Sequence, residues 1–109
     1  MNQNDPPTEH ILACLSSSPS NAKIVRTAAT MAKAFGGTFT ALYVRTPDSD
    51  QMGKEDCRRL QQHIRMAEQA GADISTIYGD DIPQQIAEFA RISGITKIVL
   101  GLSLIHISE

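Results

Sequence analysis

Short apolar segments alternate with longer amphipathic segments along most of the chain, and this alternation limits the possible folds more than any other feature. The short segments are rich in apolar and β-branched residues and predict strands, whereas the longer ones repeat apolar residues every three or four positions and predict helices. Strict alternation with short loops predicts an α/β fold, a three-layer, doubly wound parallel sheet of flavodoxin-like alternation. The predicted strands are Ile11–Leu15, Thr38–Val44, Asp73–Tyr78 and Ile95–Leu100, and the predicted helices are residues 20–35, 54–70 and 82–93.

The helix ends carry recognisable signals. Gly36 and Gly37 follow the first predicted helix and supply the left-handed conformation that ends a helix. Asp80 and Asp81 precede the third helix, and a cap is favoured there over an acidic metal site. His63 is expected on the surface of the second helix. The apolar residues expected to face the core from the third helix are Ile82, Ile86, Phe89 and Ala90.

Composition excludes several classes of protein. The 109 residues carry a formal net charge of −2, with 41% hydrophobic and 20% charged residues, which fits one ordinary globular domain. The balanced charge lacks the basic footprint of a nucleic-acid binder, and the apolar runs are far shorter than the ~20 residues of a membrane span. Cys14 and Cys57 form no CxxC pair, so we expect small buried or half-buried free thiols.

The loop after the first strand is the strongest candidate for a ligand site. In doubly wound sheets, ligands bind beyond the carboxyl ends of the strands, where the strand order reverses. Ser16, Ser17 and Ser18 supply hydroxyls, Asn21 supplies an amide, and a helix begins directly after them, so the loop is suited to cradle an anion. The equally weighted alternative is that Ser18 or Ser20 caps the helix and the other serines are solvated.

Two other loops contribute candidates at the same edge. Arg45, after the second strand, is placed to swing over the crevice and pair with a phosphate, although an exposed loop arginine is usually only solvated. Gly101, after the fourth strand, permits close approach of the backbone to a ligand.

The residues form no recognisable catalytic or metal-binding constellation. The three histidines show no spacing of metal ligands, the serines have no base in an obvious partner position, and no Walker loop occurs. We therefore expect neither a metal site nor enzymatic activity in these residues.

The segments HILACLSSSPSN (residues 10–21), RTAA (26–29) and YVRTP (43–47) resemble the universal stress protein domain of the KdpD family of potassium-responsive sensor histidine kinases. The likeness spans residues 10–101. It implies the fold of universal stress proteins and adenine nucleotide alpha hydrolases. It also implies a cytoplasmic sensory module of an integral inner-membrane kinase, which acts with a response regulator on potassium uptake, and no membrane contact by the module itself.

The resemblance also implies an adenine nucleotide ligand, cyclic di-AMP or ATP. Cys14, Ser16, Ser18 and Asn21 match the family's cyclic di-AMP motif, whereas Ala22 replaces its aromatic residue and Arg26 lies one residue beyond its basic position. Universal stress proteins that bind ATP place an aspartate at the end of the first strand and a glycine-rich loop after the fourth. Neither feature is visible in this sequence.

The resemblance divides the chain into three parts. Residues 1–9 are predicted to be a flexible leader or linker. Residues 10–101 form the domain, without the last helix and fifth strand that the family implies. Residues 102–109 (LSLIHISE) read like the translation of a sequencing adapter and are predicted to be non-native.

Three other kinds of protein share parts of this pattern. The first is a stand-alone nucleotide-binding universal stress protein, which often dimerises through its last strand. A flavodoxin-like FMN carrier ranks last, because Pro19 removes an N–H from the loop and few aromatic residues remain to sandwich a flavin. A phosphoacceptor receiver domain is rejected, because serine stands where acidic residues would follow the first strand.

Overall fold

The computed structural model describes residues 8–100 and the backbone of residues 103–106. Within this part of the chain, strands and helices alternate as predicted, and their bounds differ from the prediction by at most two residues. The elements are β1 (His10–Cys14), α1 (Asn21–Phe35), β2 (Thr38–Arg45), a 3₁₀ helix (Pro47–Gln51), α2 (Lys54–Gln69), β3 (Asp73–Tyr78), α3 (Ile82–Ser93), β4 (Lys97–Leu100) and β5 (Ser103–His106).

The sheet places the loop after β1 at the point where the strand order reverses. The spatial order is β3-β2-β1-β4-β5, and the first four strands are parallel. The chain moves outward from β1 to β3 and then returns to the other side of β1 to form β4. A crevice therefore opens at the carboxyl end of β1, as the predicted doubly wound arrangement requires.

Helices cover both faces of the sheet and create two separate cores. Successive residues of a strand point to opposite faces, so Ile11 and Ala13 meet α1 and α2, whereas Leu12 meets the layer of α3. The prediction that Ile82 faces inward is wrong: this first residue of α3 is 44% exposed, because it lies at the mouth of a cleft described below. The predicted inward residue Ala90 is buried, with Ile86 and Phe89 packed beside it.

Gly36 and Asp81 act as the predicted helix-end signals, whereas Gly37 does not take the left-handed conformation expected of it. Gly36 ends α1 in the left-handed conformation, with a φ of 64°. The Asp81 carboxylate accepts a hydrogen bond from the Gln84 N–H at 3.2 Å, so it caps α3. The following Gly37 has a different role, because a Cβ there would collide with the Glu9 carbonyl.

The segment between β2 and α2 was predicted to be a loop, but it contains the 3₁₀ helix. Thr46 and Ser49 form a reciprocal cap in which each side-chain oxygen accepts from the backbone N–H of the other residue, at 3.3 and 3.1 Å. Pro47 supplies a preset φ at the first helical position. This short helix is stabilised by its own residues and forms one wall of the cleft.

A buried ion pair closes the amino end of the sheet. The Lys97 ammonium donates to a Glu9 carboxylate oxygen at 2.9 Å, and the Thr96 hydroxyl donates to the same oxygen at 2.6 Å. Lys97 is 6% exposed, and its ammonium also lies 4.9 Å from the centre of the Phe35 ring. The predicted leader included Glu9, whereas in the structure this residue is part of the packed sheet end.

The last described segment pairs with the sheet edge. Ser103–His106 runs antiparallel to β4, with Leu100 opposite Ser103 and Lys97 opposite His106. The sequence had predicted a non-native tail here and no further strand. Gly101 lies outside the described residues. None of the described helices is long and apolar enough to cross a membrane.

Candidate functional site

A cleft of about 470 Å³ opens at the carboxyl ends of β1 and β2. The loop after β1, the 3₁₀ helix and the start of α3 form its walls, so three connections converge there. Its polar and charged lining residues are Cys14, Ser16, Ser17, Tyr43, Thr46, Asp48, Ser49 and Asp56, and its apolar lining residues are Leu15, Leu42, Val44, Met52, Ile82 and Ile86.

Asn21 organises the loop from inside. Its side chain is 1% exposed, and its amide nitrogen donates to the Cys14 carbonyl at 2.8 Å. Its amide oxygen accepts from the Ser16 N–H at 3.1 Å. Both polar atoms of the amide are therefore engaged with backbone groups at the two ends of the Cys14–Ser16 segment. The residue predicted as a ligand group supports the loop that lines the cleft.

The serine hydroxyls do not follow the capping alternative. Ser20 is the residue before α1, but its side chain makes no capping hydrogen bond. The Ser18 and Ser20 hydroxyls instead lie 2.9 Å apart, and the Ser18 N–H donates to the Ser16 hydroxyl at 3.2 Å. The first turn of α1 contains no acidic residue, so no carboxylate offsets the positive end of its dipole. Ser16 and Ser17 line the cleft directly.

Two side chains of α2 form hydrogen bonds with the backbone of the loop after β1. The ring of His63 lies with Nδ1 2.7 Å from the Ser16 carbonyl oxygen, and Arg59 donates to the Ser17 carbonyl at 2.9 Å. The prediction that His63 is a surface residue is wrong, because it is 4% exposed. Sequence reasoning placed it outside because a histidine in an otherwise polar helix is usually solvated, and the Ser16 carbonyl that it meets lies 47 positions away.

The two cysteines lie in different environments. Cys14 lines the cleft at the end of β1, and burial raises the pKa of its thiol to about 11. At neutral pH this thiol is protonated and unreactive. Cys57 was expected to be buried or half-buried, but it is exposed on α2, where its thiol approaches the Met52 carbonyl at 3.7 Å.

The charged side chains of the cleft are acidic. Asp48 lies in the first turn of the 3₁₀ helix, and Asp56 accepts from Arg59 at 3.0 Å. Among residues 8–100, no group of three His, Cys, Asp or Glu side chains is arranged to hold a metal ion. The cleft therefore combines an apolar interior with hydroxyls on one side and carboxylates on the other.

Arg45 and Arg26 lie away from the Ser16–Ser17 side of the cleft. Arg45 pairs with Asp50 at 2.8 Å, and the hydrogen bond and charge of that carboxylate raise the pKa of the guanidinium. It lines a second, neighbouring cleft of about 440 Å³. Arg26 is exposed and lines a shallow groove on the outer surface of α1.

Sequence reasoning missed several residues of the cleft. Tyr43, Ser49 and Met52 line both neighbouring clefts, so they form the ridge between them. The Thr46-Pro47 pair, followed by Ser49, was the available signal for an ordered turn at this position. Tyr43 gave no such signal, because an aromatic residue inside a strand predicts core packing equally well.

Comparison with known sequences identifies relatives over most of the chain. The sequence pattern of the Universal stress protein family matches residues 7–103. The Sensor protein KdpD of Clostridium acetobutylicum is 39% identical over 94 residues, and that of Escherichia coli (strain K12) is 30% identical over 91 residues. These alignments cover 86% and 84% of this chain but only 10% of each relative, so the chain spans about a tenth of their length.

Solved structures give the same fold. A universal stress protein from Burkholderia pseudomallei is 18% identical, with a TM-score of 0.65 over 85% of this chain and 82% of the other. A universal stress protein in complex with cAMP is 16% identical, with a TM-score of 0.63 over 85% of this chain and 71% of the other. A third, from Archaeoglobus fulgidus in complex with dAMP, is 19% identical, with a TM-score of 0.52 over 84% and 78%. At these identities the likeness concerns the fold alone. Together with the match over residues 7–103, it establishes that this chain belongs to the universal stress protein family.

Proposed function

We propose that this chain is the ligand-sensing domain of a KdpD-type sensor histidine kinase and that it binds an adenine nucleotide, ATP or cyclic di-AMP, in the cleft at the end of β1. The single observation that carries the proposal is the position of Ser16 and Ser17, which line this cleft at the point where the strand order reverses. The 39% identity to a KdpD sensor protein supports the assignment to that branch.

The lining of the cleft suits the parts of a nucleotide. The hydroxyls of Ser16 and Ser17 and the Ser17 N–H would bind phosphate oxygens, and the positive end of α1, whose first turn holds no acidic residue, favours an anion nearby. Met52 and Ile86, which are half-buried at the cleft, provide apolar contacts for the adenine ring. Ile82, exposed at the cleft mouth, would be covered by the same ring.

The carboxylates favour one orientation of the ligand. Asp48 and Asp56 would repel phosphate, so the phosphate lies toward the serines and the ribose hydroxyls lie toward the acidic side. The Asp48 carboxylate accepts hydrogen bonds from the ribose in this arrangement. Arg45, Arg26 and Gly101, which the sequence had included among the candidates, have no assigned contact in this pose.

The domain acts without catalysis of its own in this proposal. Ligand binding changes how it docks on the other parts of a cytoplasmically exposed kinase, which passes the signal to a response regulator for potassium uptake. The main alternative is a stand-alone universal stress protein that binds a nucleotide, possible as a homodimer, and the two solved relatives with bound cAMP and dAMP favour it. The genomic continuation of the reading frame separates the two, since kinase and membrane segments downstream would exclude the stand-alone form.

Titration calorimetry of the 109-residue chain with ATP and with cyclic di-AMP tests the site. We expect one of the two nucleotides to bind, and the Ser16→Ala/Ser17→Ala variant to bind it at least about tenfold more weakly, because two hydroxyl hydrogen bonds are lost. Asn21 is left intact, since its amide supports the loop.

Ser20→Ala is the matched control, because Ser20 lies in the same loop and, within the described part of the chain, its hydroxyl bonds to the Ser18 hydroxyl alone. Its affinity should equal that of the unmodified chain. If the double variant and the unmodified chain have equal affinity, the nucleotide binds elsewhere. If neither nucleotide binds to the unmodified chain, the proposed function is overturned.

A further inference from the structure

Two side chains of α2 hold consecutive peptide groups of the loop that lines the cleft. We propose that Arg59 and His63 are positioning residues for ligand binding, which fix the Ser16–Ser17 backbone so that the Ser17 N–H faces the ligand. This inference rests on the proposed function, because it concerns the same loop.

His63 makes the more buried of the two contacts. A carbonyl oxygen only accepts hydrogen bonds, so the proton between the ring and the Ser16 carbonyl belongs to Nδ1 of His63. At 2.7 Å and 4% exposure, this bond is protected from competing water. It links the middle of α2 to the loop after β1.

Arg59 lies one helical turn earlier and makes the second contact. One of its guanidinium nitrogens, Nη1, donates both to the Ser17 carbonyl at 2.9 Å and to the Asp56 carboxylate at 3.0 Å. Asp56, Arg59 and His63 are spaced by three and four residues, so they lie on one stripe of α2. Asp56 thereby orients the guanidinium, and Arg59 in turn holds the loop.

The peptide geometry gives these contacts a consequence for the ligand. In a trans peptide the C=O and the following N–H point in opposite directions, and the described chain contains only trans peptides. Holding the Ser16 carbonyl against His63 therefore turns the Ser17 N–H away from α2. The two carbonyl oxygens, which would repel a phosphate, are engaged by α2 instead.

The arrangement also connects the ligand to α2. A ligand that requires this loop conformation binds more weakly when α2 releases the loop, and by reciprocity the bound ligand favours the α2 position seen here. Arg59 and His63 would therefore transmit the state of the cleft to the helix.

The test uses the 109-residue chain and the variants Arg59→Met, His63→Leu and their combination. Arg58→Met is the matched control, since Arg58 is the adjacent cation of α2 and, among residues 8–100, pairs with Glu55 alone. His63→Asn keeps an N–H donor at the place of Nδ1 and should restore the loop. The readouts are amide hydrogen exchange at Ser16 and Ser18 without ligand, and nucleotide affinity by calorimetry.

The proposal predicts that the combined variant exchanges these amides about tenfold faster and binds nucleotide about tenfold more weakly, the size expected for a charge-assisted hydrogen bond. Arg58→Met should change neither quantity, and His63→Asn should stay close to the unmodified chain. Unchanged exchange and affinity, an equal effect of Arg58→Met, or His63→Asn behaving like His63→Leu would overturn it. If the combined variant does not fold, Arg59→Met alone decides, since that side chain is 29% exposed.

If the unmodified chain binds neither nucleotide, the proposed function fails. Amide hydrogen exchange then tests only whether Arg59 and His63 hold the loop. Faster exchange at Ser16 and Ser18 would then still support a role in holding the loop. Unchanged exchange would overturn that role as well.

Discussion

Buried polar side chains form hydrogen bonds at both ends of the sheet, but they close the amino end and leave a cleft at the carboxyl end. At the amino end, Lys97 and Thr96 converge on one oxygen of Glu9, and the polar groups satisfy each other. At the carboxyl end, Asn21, Arg59 and His63 bond to the backbone of the loop after β1 and leave the cleft open beside it. In this domain, side chains that bond to one another close the amino end of the sheet, whereas side chains that bond to the loop backbone shape the cleft at the carboxyl end.

The largest expected effect is on the carboxyl end. Asn21→Ala removes the amide that bonds both the Cys14 carbonyl and the Ser16 N–H, so we expect a loss of about 3 kcal/mol in the free energy of unfolding. Urea denaturation measures this change. Ser20→Ala, which removes only a hydroxyl in contact with the Ser18 hydroxyl of the same loop, should lose much less; equal losses would contradict this assignment.

The amino end should show a somewhat smaller effect and no change in binding. Glu9→Ala leaves the Lys97 ammonium buried without its carboxylate, and we expect a loss of about 2 kcal/mol, reduced from the value for a fully buried pair because Glu9 is 28% exposed. Adding Lys97→Met should recover most of that loss. Weaker nucleotide affinity in Glu9→Ala would show that the two ends are coupled and would break the comparison.

The Cys14 thiol makes the carboxyl end sensitive to alkaline pH. Between its ordinary pKa of 9.0 and the raised value of about 11, the unfolded chain has lost the thiol proton that the folded chain retains. Unfolding then releases a proton, so stability falls as pH rises through this window, by at most about 1.4 kcal/mol per pH unit. Denaturation curves at pH 8, 9 and 10 measure this fall in the free energy of unfolding. The fall should be smaller in Cys14→Ala than in the unmodified chain, whereas Cys57→Ala should behave like the unmodified chain.

The smallest expected effect belongs to Arg45. It pairs with Asp50 on the surface and lines the neighbouring cleft, so Arg45→Met should leave the thermal unfolding midpoint unchanged and alter nucleotide affinity by less than about twofold. A large loss of affinity would instead restore the sequence-based hypothesis that Arg45 reaches the phosphate. Thermal scanning with and without nucleotide measures both quantities.

Local signals made most of the fold predictable. The bounds of β3, the glycine that ends α1 and the aspartate that caps α3 depend on residues within one turn of each other, so sequence spacing contained the information. The serine loop was predictable for the same reason, because its position follows from the parallel alternation of strands and helices.

Burial of polar side chains was not predictable, because it depends on distant partners. His63 meets a carbonyl 47 positions away, and Lys97 meets a carboxylate 88 positions away. From spacing alone, the first residue belongs to a solvated helix surface and the second interrupts an apolar strand. The cleft wall formed by the 3₁₀ helix was missed because five residues are too few to show a periodic pattern.

Gly36 and Gly37 look equivalent in the sequence but tolerate different substitutions. At Gly36 a side chain meets open space, yet the φ of 64° disfavours most L-residues, so asparagine is the replacement that it accepts best. At Gly37 the backbone conformation permits any residue, but even a methyl group would press on the Glu9 carbonyl. Gly37→Ala should therefore disturb the ion pair of Lys97 through the backbone of Glu9. Substitution of Gly36 is limited by its backbone conformation, whereas substitution of Gly37 is limited by the volume of the new side chain.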